Sequence, residues 1–382
     1  MTTLFYLSLF MWLYAYAGYP LALLLARTLS GSRRVPHQAC TPRVTVVVPV
    51  HNGAHSVAQK ARDLLDLDYP RHLLEVVVVS DGSDDGTGEV VRREAELDPR
   101  VHLVAVADQQ GKENAINRGV AVATGDIIVV SDLGVQPRRD ALRLLVEPFG
   151  DERVGATTGV DSPIGSGGSA ITGIAGLYTR YEIAVRRLEA AVGNIVVVNG
   201  CFFAVRRSLV PHLVPHQTAD LAVPLQVIRR GFRVVLVPEA AAAVPTSRSV
   251  AGEFHRRVRT FNRGITTFLA ATDLLNPFRH GWVAVQLVSH KLVRWLVPLW
   301  LAGLALSSAA LATRSQWFAL ILLVQVLLYS AAILGLSGRT SRGFERLVSV
   351  PSFYLLSNAS IVIAWTQVLR GQKAGTWKPT ER

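Results

Sequence analysis

Four stretches of this chain contain no charged side chain, and they restrict where a water-soluble domain can lie. They span residues 1–26, 295–313, 315–338 and 347–369. A helix that crosses the hydrocarbon core of a bilayer needs about 20 mostly apolar residues. The sequence therefore predicts an N-terminal transmembrane helix over residues 1–26 and a C-terminal membrane region over residues 295–369 with two or three spans.

The basic residues beside the first stretch predict the orientation of the chain. Arg27, Arg33 and Arg34 lie in a basic linker at residues 27–42, and positive flanks of membrane segments face the cytoplasm. The first stretch lacks a basic leader and a small-residue cleavage site, which favours a retained anchor. We therefore expect a multi-pass protein of the cell inner membrane with a cytoplasmic middle part.

The C-terminal third is less regular than the first stretch. Residues 279–294 mix basic and apolar side chains, a composition typical of an interfacial helix. Three full crossings would leave the basic tail at residues 370–382 outside, against the charge rule. Residues 347–369 also contain Pro351, so we expect this segment to be a re-entrant or interfacial element.

The overall charge is strongly positive, with 40 Lys and Arg against 28 Asp and Glu and a net charge of +12. In a chain with membrane segments, basic flanks that face anionic lipid account for such an excess. We therefore expect membrane lipids, and no nucleic acid, among the partners. Cys40 and Cys201 have the spacing of neither a disulfide framework nor a metal site, which fits a reducing compartment.

Residues 43–278 have the pattern of an α/β fold. β-Branched runs at residues 43–50 and 75–80 are each followed by polar turn residues, which is typical of strands buried on both faces of a parallel sheet. Residues 56–67 form an amphipathic helical pattern between them. Open α/β folds bind ligands at the carboxyl edge of such a sheet, so the pattern predicts a Rossmann-like domain with a site there.

Several polar residues follow these strands. Asp81 lies in a small-residue loop that can approach a nucleotide closely, and Asp132 ends a later strand, where a carboxylate needs a cation, a ligand or donors. Lys112 begins a helix whose free N–H groups favour an anion, although an ordinary exposed lysine is the simpler explanation of it alone. Asp220 begins another helix, where capping is an equally ordinary role.

Two further segments have unusual compositions. Residues 155–176 are rich in glycine, which predicts a mobile loop over the cleft. Residues 253–263 place four arginines in one short helical stretch, a density that no apolar core would accept. A diphosphate or a membrane headgroup would suit this cluster.

Taken together, these motifs resemble the membrane-bound glycosyltransferases of family 2 with a GT-A domain, the group around cellulose, chitin and hyaluronan synthases and their bacterial relatives. Each matching piece is short, but their order and spacing are specific, and the likeness covers nearly the whole chain. The matching segments are residues 46–52, 67–70, 79–87, 111–117, 123–126, 131–132, 220, 231–235 and 253–260.

The resemblance implies transfer of a sugar, with inversion, from a nucleoside diphosphate sugar, usually UDP-linked, to a polysaccharide or lipid-linked acceptor. It implies that Asp220 is the general base, that Asp81 binds the uracil ring, and that Asp132 holds ribose or a Mg²⁺ or Mn²⁺ ion. The residues implied to bind the nucleotide sugar are Pro49, Asn52, Asp81, Lys112, Asp132, Arg256, Arg257 and Arg259.

The chain departs from the family pattern at several of these positions. Gly134 replaces the second acid of the usual Asp-x-Asp motif, and Ala219 replaces the acid before the catalytic aspartate. Arg256 and Thr260 replace the Gln and Trp of the arginine motif. These differences predict a weaker dependence on a divalent ion and leave open whether transfer is processive.

Two other functions fit the same sequence. The acceptor could be polyprenyl phosphate, or the chain could be a catalytically degenerate subunit that binds nucleotide sugar without turnover. Asp220 favours an active enzyme, because a binding subunit gains little from a base at that position. Subunits of a polysaccharide exporter are candidate partners in either case.

Overall fold

A computed structural model describes residues 1–31, 40–164, 170–245, 250–337 and 342–372. Half of the basic linker and most of the basic tail lie outside these ranges. The central element is one sheet of eight strands. The strands are β1 (Val44–Val50), β2 (Leu74–Asp81), β3 (Val101–Val106), β4 (Ile127–Ser131), β5 (Gln136–Pro137), β6 (Val154–Ile164), β7 (Phe202–Arg206) and β8 (Arg233–Pro245).

The sheet is mixed, with the strand order β3-β2-β1-β4-β7-β6-β8-β5. Its first four strands in this order are parallel, and β7 is antiparallel to both β4 and β6. The strand and helix pattern predicted for residues 43–81 is confirmed. Strands β1, β2 and β4 all direct their carboxyl ends to one edge, where the polar loops lie.

Helices surround the sheet and extend from both ends of the domain. Within the domain they are α3 (Val57–Leu65), α4 (Thr87–Leu97), α5 (Lys112–Val122), α6 (Ala141–Val146), α7 (Ala170–Val192), α8 (Ala219–Arg229) and α9 (Val250–Leu269). At the ends they are α1 (Thr2–Leu13), α2 (Tyr19–Ser30), α10 (Pro277–His280), α11 (Trp282–Gln286), α12 (Val293–Trp295), α13 (Val297–Leu311), α14 (Gln316–Leu336) and α15 (Arg342–Leu369).

Strand β1 is buried along its whole length because its two faces contribute to two different cores. Side chains alternate between the faces of a strand, so Val47 packs with Ile116 of α5, whereas Val46 packs with Leu64 of α3. The first of these cores continues through Phe268 of α9 to Ile361 of α15. The central sheet and the last helix therefore share one continuous core.

Three helical segments have the length and composition of membrane spans: Thr2–Leu29, Gln316–Leu336 and Leu347–Leu369. Trp282–Trp295 and Val297–Leu311 form a further pair that is bent by 53°. The last segment belongs to one unbroken helix of 28 residues, α15, although Pro351 lies inside it. The broken chain path of a re-entrant element is therefore not present at residues 347–369.

Two local predictions are wrong. Residues 155–164 belong to β6, which pairs with β8 from Val154 to Ile164, and α7 begins at Ala170. Only residues 165–169 of the predicted mobile loop remain, and they lie outside the described residues. Residues 195–198, whose β-branched sequence predicts a short strand, are buried but do not form one, because their N–H groups bond to β8 and α8 at single points and not along a neighbouring strand.

A buried polar cluster joins the domain to the helices at both ends of the chain. His290 contacts Glu189 at 2.8 Å through Nδ1 and Glu182 at 3.1 Å through Nε2. The hydroxyl of Tyr19 donates to Glu189 at 2.5 Å, and Arg294 forms an ion pair with Glu182. Burial alone would raise the pKa of Glu182, but Arg294 and His290 hold this pKa well below its usual range.

We expect Glu182→Gln to destabilise the protein by about 3–5 kcal/mol, because it leaves Arg294 buried without its carboxylate. The measurement is thermal unfolding of the full chain in detergent. Glu152→Gln is the matched control, since Glu152 is exposed on the domain surface. Equal melting temperatures for the two variants would show that the cluster does not hold the parts together.

Candidate active site

The loops after β1, β2 and β3 meet at Asp81, which is 1% exposed. Its two carboxylate oxygens accept hydrogen bonds from the backbone N–H groups of Gln110 at 2.8 Å and Gly111 at 2.7 Å. Its carbonyl oxygen contacts Nδ1 of His51 at 2.7 Å. Asp81 thus holds the loop at Gln110 and Gly111 in its conformation. Recognition of the uracil ring by this carboxylate stays a prediction.

Gly82 allows the loops after β2 and β3 to approach each other. Its φ is +61°, a left-handed conformation that favours glycine. A Cβ atom at this position would lie 2.3 Å from the backbone nitrogen of Gln109. The small-residue loop that the sequence indicates is therefore required by the close contact between two backbone segments.

Asn52 and Pro49 have structural roles at the end of β1. Asn52 adopts a φ of 53°, and its side-chain oxygen accepts a hydrogen bond from the backbone N–H of Asp84 at 3.1 Å. Pro49 is buried inside β1 and pairs with Val79. Asn52 remains exposed at the site edge, whereas the ring of Pro49 packs inside the sheet.

Lys112 and Asp132 form an ion pair at the centre of the site, with 2.5 Å between Nζ and Oδ1. The same Nζ donates to the carbonyl oxygen of Gly200 at 2.9 Å. Burial alone would lower the pKa of Lys112, but Asp132 raises this pKa above its usual value. The ammonium group is therefore charged and is anchored by the segment that precedes β7.

Lys60 is a second cation beside Asp132 that the sequence analysis missed. It is 5% exposed and donates to the hydroxyl of Ser131 at 2.8 Å and the carbonyl of Val135 at 2.5 Å. Burial lowers the pKa of Lys60 to about 8, against the attraction of Asp132. Lys60 lies three residues after Val57 and four before Leu64, on the apolar face of α3. This spacing was the sequence signal for a buried lysine.

Asp220 lies beside the same Gly200 that accepts from Lys112. A Cβ atom on Gly200 would be 3.2 Å from Cβ of Asp220, so Asp220 lies in close contact with this glycine. Thr218 occupies the N-cap of α8 and donates its hydroxyl to Asp220. Asp220 is therefore in the first turn of the helix and is not its cap, which removes the simplest structural explanation for this acid.

Asp161 and Asn199 also belong to the site, and the sequence analysis singled out neither side chain. The amide of Asn199 donates to Asp161 and its oxygen accepts from the N–H of Cys201 at 2.9 Å. Burial raises the pKa of Asp161, and the nearby Asp132 adds to this effect. No sequence signal identified Asp161, because it lies far along the unexpectedly long strand β6.

Helix α9 brings three arginines toward this centre. Arg263 pairs with Glu113 of α5, and its Nε donates to the carbonyl of Gln217 at 2.9 Å. Arg256 is held by Glu253 at 2.7 Å. Arg259 has no ion-pair or hydrogen-bond partner within the described residues, and burial together with Arg263 and Arg256 lowers its pKa. Arg259 is thus the guanidinium of this group that remains available to an anion.

Arg257 has partners on another side of the helix, and its binding of the nucleotide sugar stays a prediction. It donates to Glu253 at 2.8 Å and to the hydroxyl of Ser357 at 3.1 Å, and its guanidinium lies 4.3 Å from the ring centroid of Phe353. Successive residues of a helix point about 100° apart. Arg257 therefore faces α15, while Arg256 and Arg259 face other directions.

Comparisons with known proteins indicate the same family as the sequence motifs. Residues 45–213 match the family model described as glycosyl transferase family 2. The chain contains a family 2 glycosyltransferase domain. This match confirms the resemblance that the sequence motifs indicate.

Two bacterial proteins are relatives of this family 2 domain. The probable glycosyltransferase YdaM of Bacillus subtilis is 29% identical over 212 residues, 52% of this chain and 50% of the relative. The poly-beta-1,6-N-acetyl-D-glucosamine synthase of Staphylococcus aureus is 25% identical over 222 residues, 56% of this chain and 53% of the relative. The chain thus spans about half the length of these relatives.

A solved structure extends the similarity to the whole fold. The mannosyltransferase PcManGT of Pyrobaculum calidifontis, in complex with GDP-Man and Mn²⁺, superposes with a TM-score of 0.72 at 24% identity. The alignment covers 97% of this chain and 100% of that structure. The predicted GT-A fold with flanking helices is confirmed.

The residues at the site do not fit a tightly held divalent ion. Among the described residues, no three His, Cys, Asp or Glu side chains are grouped closely enough to hold a metal. Asp132, the predicted metal ligand, is paired with Lys112, and Gly134 offers no carboxylate. Any divalent ion here would depend on oxygen atoms of the donor diphosphate and on water.

We expect Asp81→Asn to weaken UDP binding about tenfold, measured by calorimetry. An asparagine offers one acceptor oxygen for two loop N–H groups, and an unpaired buried group costs about 1–3 kcal/mol. Asp84→Asn is the control, because Asp84 is exposed in the same loop. If both variants bind UDP as the parent does, Asp81 neither shapes the site nor contacts the base.

We also expect sugar transfer to continue at micromolar concentrations of EDTA, because Lys112 already neutralises Asp132. Calorimetry with Mn²⁺ should detect no binding without a nucleotide and weak binding with UDP present. Complete loss of transfer at micromolar chelator, or tight Mn²⁺ binding to the protein alone, would contradict this expectation.

Proposed function

We propose that this protein is an inverting glycosyltransferase that moves a sugar from a nucleoside diphosphate sugar, most simply a UDP-sugar, to an acceptor hydroxyl. The observation that supports this most is the convergence of Lys112, Asp132 and Asp220 around Gly200. These residues come from three separate parts of the chain. A single site for donor and acceptor accounts for their meeting.

In this proposal the acceptor oxygen attacks the anomeric carbon of the donor sugar. The bond from that carbon to the diphosphate breaks, and its electron pair leaves with the nucleoside diphosphate. Asp220 accepts the proton that the acceptor hydroxyl loses, which is the ordinary work of a carboxylate general base. Attack from the face opposite the leaving group gives inversion at the anomeric carbon.

The leaving diphosphate gains negative charge, and preorganised cations stabilise such charge in the transition state. Lys112 and Arg259 are suited to this role, Lys112 because it is fixed at the start of α5 and Arg259 because it has no anionic partner among the described residues. Arg256 adds positive charge from the same helix. These side chains supply the charge compensation without a step that depends on a metal ion.

The candidate membrane spans are the basis for the proposed location of the domain. The candidate spans lie on either side of the family 2 domain, so the domain works at a membrane surface, with the cytoplasmic face of the inner membrane as the expected side. A non-catalytic nucleotide-sugar-binding subunit is the competing function. Asp220 stands against it, because this carboxylate is free of a capping role and adjoins the donor site.

Asp220→Asn tests the proposal directly. We expect transfer from a panel of labelled nucleotide sugars to fall by roughly 10²–10⁴-fold, because the amide cannot accept the proton. UDP affinity should stay at the parent value, since the substitution keeps the shape of the side chain.

Asp66→Asn, an exposed position at the end of α3, is the matched control and should retain full activity. Near-parent transfer by the Asp220 variant would remove this residue from the mechanism. Absence of transfer by the parent with every donor, despite tight UDP binding, would support the non-catalytic subunit.

A further inference from the structure

Three aspartates contact the turn formed by residues 199–201, which lies directly before β7. The backbone N–H of Asp132 donates to the carbonyl oxygen of the last residue of this turn at 3.0 Å. Asp220 is in close contact with the central residue. The first residue, Asn199, donates its side-chain amide to Asp161. Asp132 and Asp220 already have roles in the proposed function, whereas Asp161 has none.

An irregularity in β6 directs Asp161 toward this turn. Side chains alternate along a regular strand, so Thr158 and Asp161, which are three residues apart, would lie on opposite faces. Both nevertheless contact Asn199, because the hydroxyl of Thr158 accepts from its backbone N–H at 2.8 Å. The register between β6 and β8 shifts directly after Thr158. Irregularities of this kind are frequent beside active sites, where they redirect a side chain.

One oxygen of the Asp161 carboxylate remains available to a ligand. Oδ1 accepts from Asn199, whereas Oδ2 accepts no hydrogen bond from the residues that the structure describes. Burial raises the pKa of Asp161, Arg186 of α7 lowers it, and Asp132 raises it further. A carboxylate that is partly removed from water is costly unless it meets donors. Hydroxyl groups of a sugar are suitable donors.

The expected position of the donor sugar adjoins Asp161. In the proposed function the diphosphate lies beside Lys112 and the acceptor hydroxyl lies beside Asp220. The sugar connects these two places, because its anomeric carbon takes part in both the breaking and the forming bond. Lys112 and Asp220 both contact Gly200, the central residue of the turn. Asp161 is bonded to the same turn, so its carboxylate borders the space for the sugar ring.

We propose that Asp161 binds a hydroxyl group of the donor sugar and thereby helps to select which nucleotide sugar the protein uses. The inference rests on the proposed function and adds a specificity-determining residue to the same site. Asn199 fixes the orientation of the carboxylate through Oδ1, and Oδ2 accepts from the sugar. Hydrogen bonds to ionised groups are stronger than those between neutral groups, so the loss of this contact is measurable.

Asp161→Asn separates sugar recognition from support of the turn. The new amide keeps an oxygen that accepts from Asn199, but a nitrogen that cannot accept replaces Oδ2. Calorimetry on the full chain in detergent first identifies the tightest binder among UDP-glucose, UDP-galactose, UDP-N-acetylglucosamine and GDP-mannose. The variant should bind this donor roughly 10–100-fold more weakly. Its affinity for the corresponding nucleoside diphosphate should stay at the parent value.

Monodeoxy analogues of the same donor identify the hydroxyl that is bound. In the parent protein, removal of this hydroxyl should weaken binding by about tenfold or more. In Asp161→Asn the same removal should weaken binding less than about threefold, because the partner of the hydroxyl is already lost. Such coupling between one residue and one hydroxyl is expected of a direct contact.

Asp66→Asn is the matched control, because it makes the same chemical change at an exposed position at the end of α3. It should bind the donor and every analogue as the parent does. If Asp161→Asn does not fold, Asp161→Ser replaces it in the same measurements. The serine hydroxyl can still accept from Asn199, but it carries no carboxylate.

Three results would overturn the proposal. Equal loss of affinity for the donor and for its nucleoside diphosphate would indicate that Asp161 only supports the turn. Slower transfer with unchanged donor affinity would indicate a role in the chemical step. Equal binding of every monodeoxy analogue by the parent would show that no hydroxyl is recognised. Failure of the parent to bind any of these nucleotides would instead count against the donor site, and therefore against the proposed function itself.

Discussion

The contact of Lys112 with Asp132 and Gly200 is the interaction on which the site depends. It joins the first residue of α5, the tip of β4 and the turn before β7 through one ammonium group. It also gives the half-buried carboxylate of Asp132 a cation, since an unpaired charge that is partly removed from water is costly. The same ammonium group points a positive charge into the space where a diphosphate is expected.

This ion pair affects the balance of negative and positive charge in the site. With Gly134 in place of a second acid and Asp132 already paired, the site has few free carboxylates, while Lys60, Lys112 and Arg259 supply positive charge. Positive charge that belongs to side chains requires no ion from solution and no change of coordination during the reaction. Two of the departures from the family pattern, Gly134 and Arg256, act in the same direction, since one removes a carboxylate and the other adds a positive charge.

Helix α9 couples this chemistry to the membrane part of the chain. Its side chains contact α5 through Arg263 and α15 through Arg257, so α9 connects the site to the last helix. The polar cluster around His290 connects Tyr19 of α2 to Glu189 of α7 in the same way. These contacts make the domain and the terminal helices one packed unit.

The sequence by itself determined the strands β1, β2 and β4, the edge at which the site lies and the apolar segments, because these depend on local periodicity and composition. It also identified Asp81, Lys112, Asp132 and Asp220 by their places in motifs. Only the tertiary structure decided which partners these side chains have. The pairing of Lys112 with Asp132, the burial of Lys60 and the length of β6 all depend on contacts between segments far apart in the chain. No local pattern reports such contacts, and for the same reason neighbouring arginines of α9 appeared equivalent until their separate partners were known.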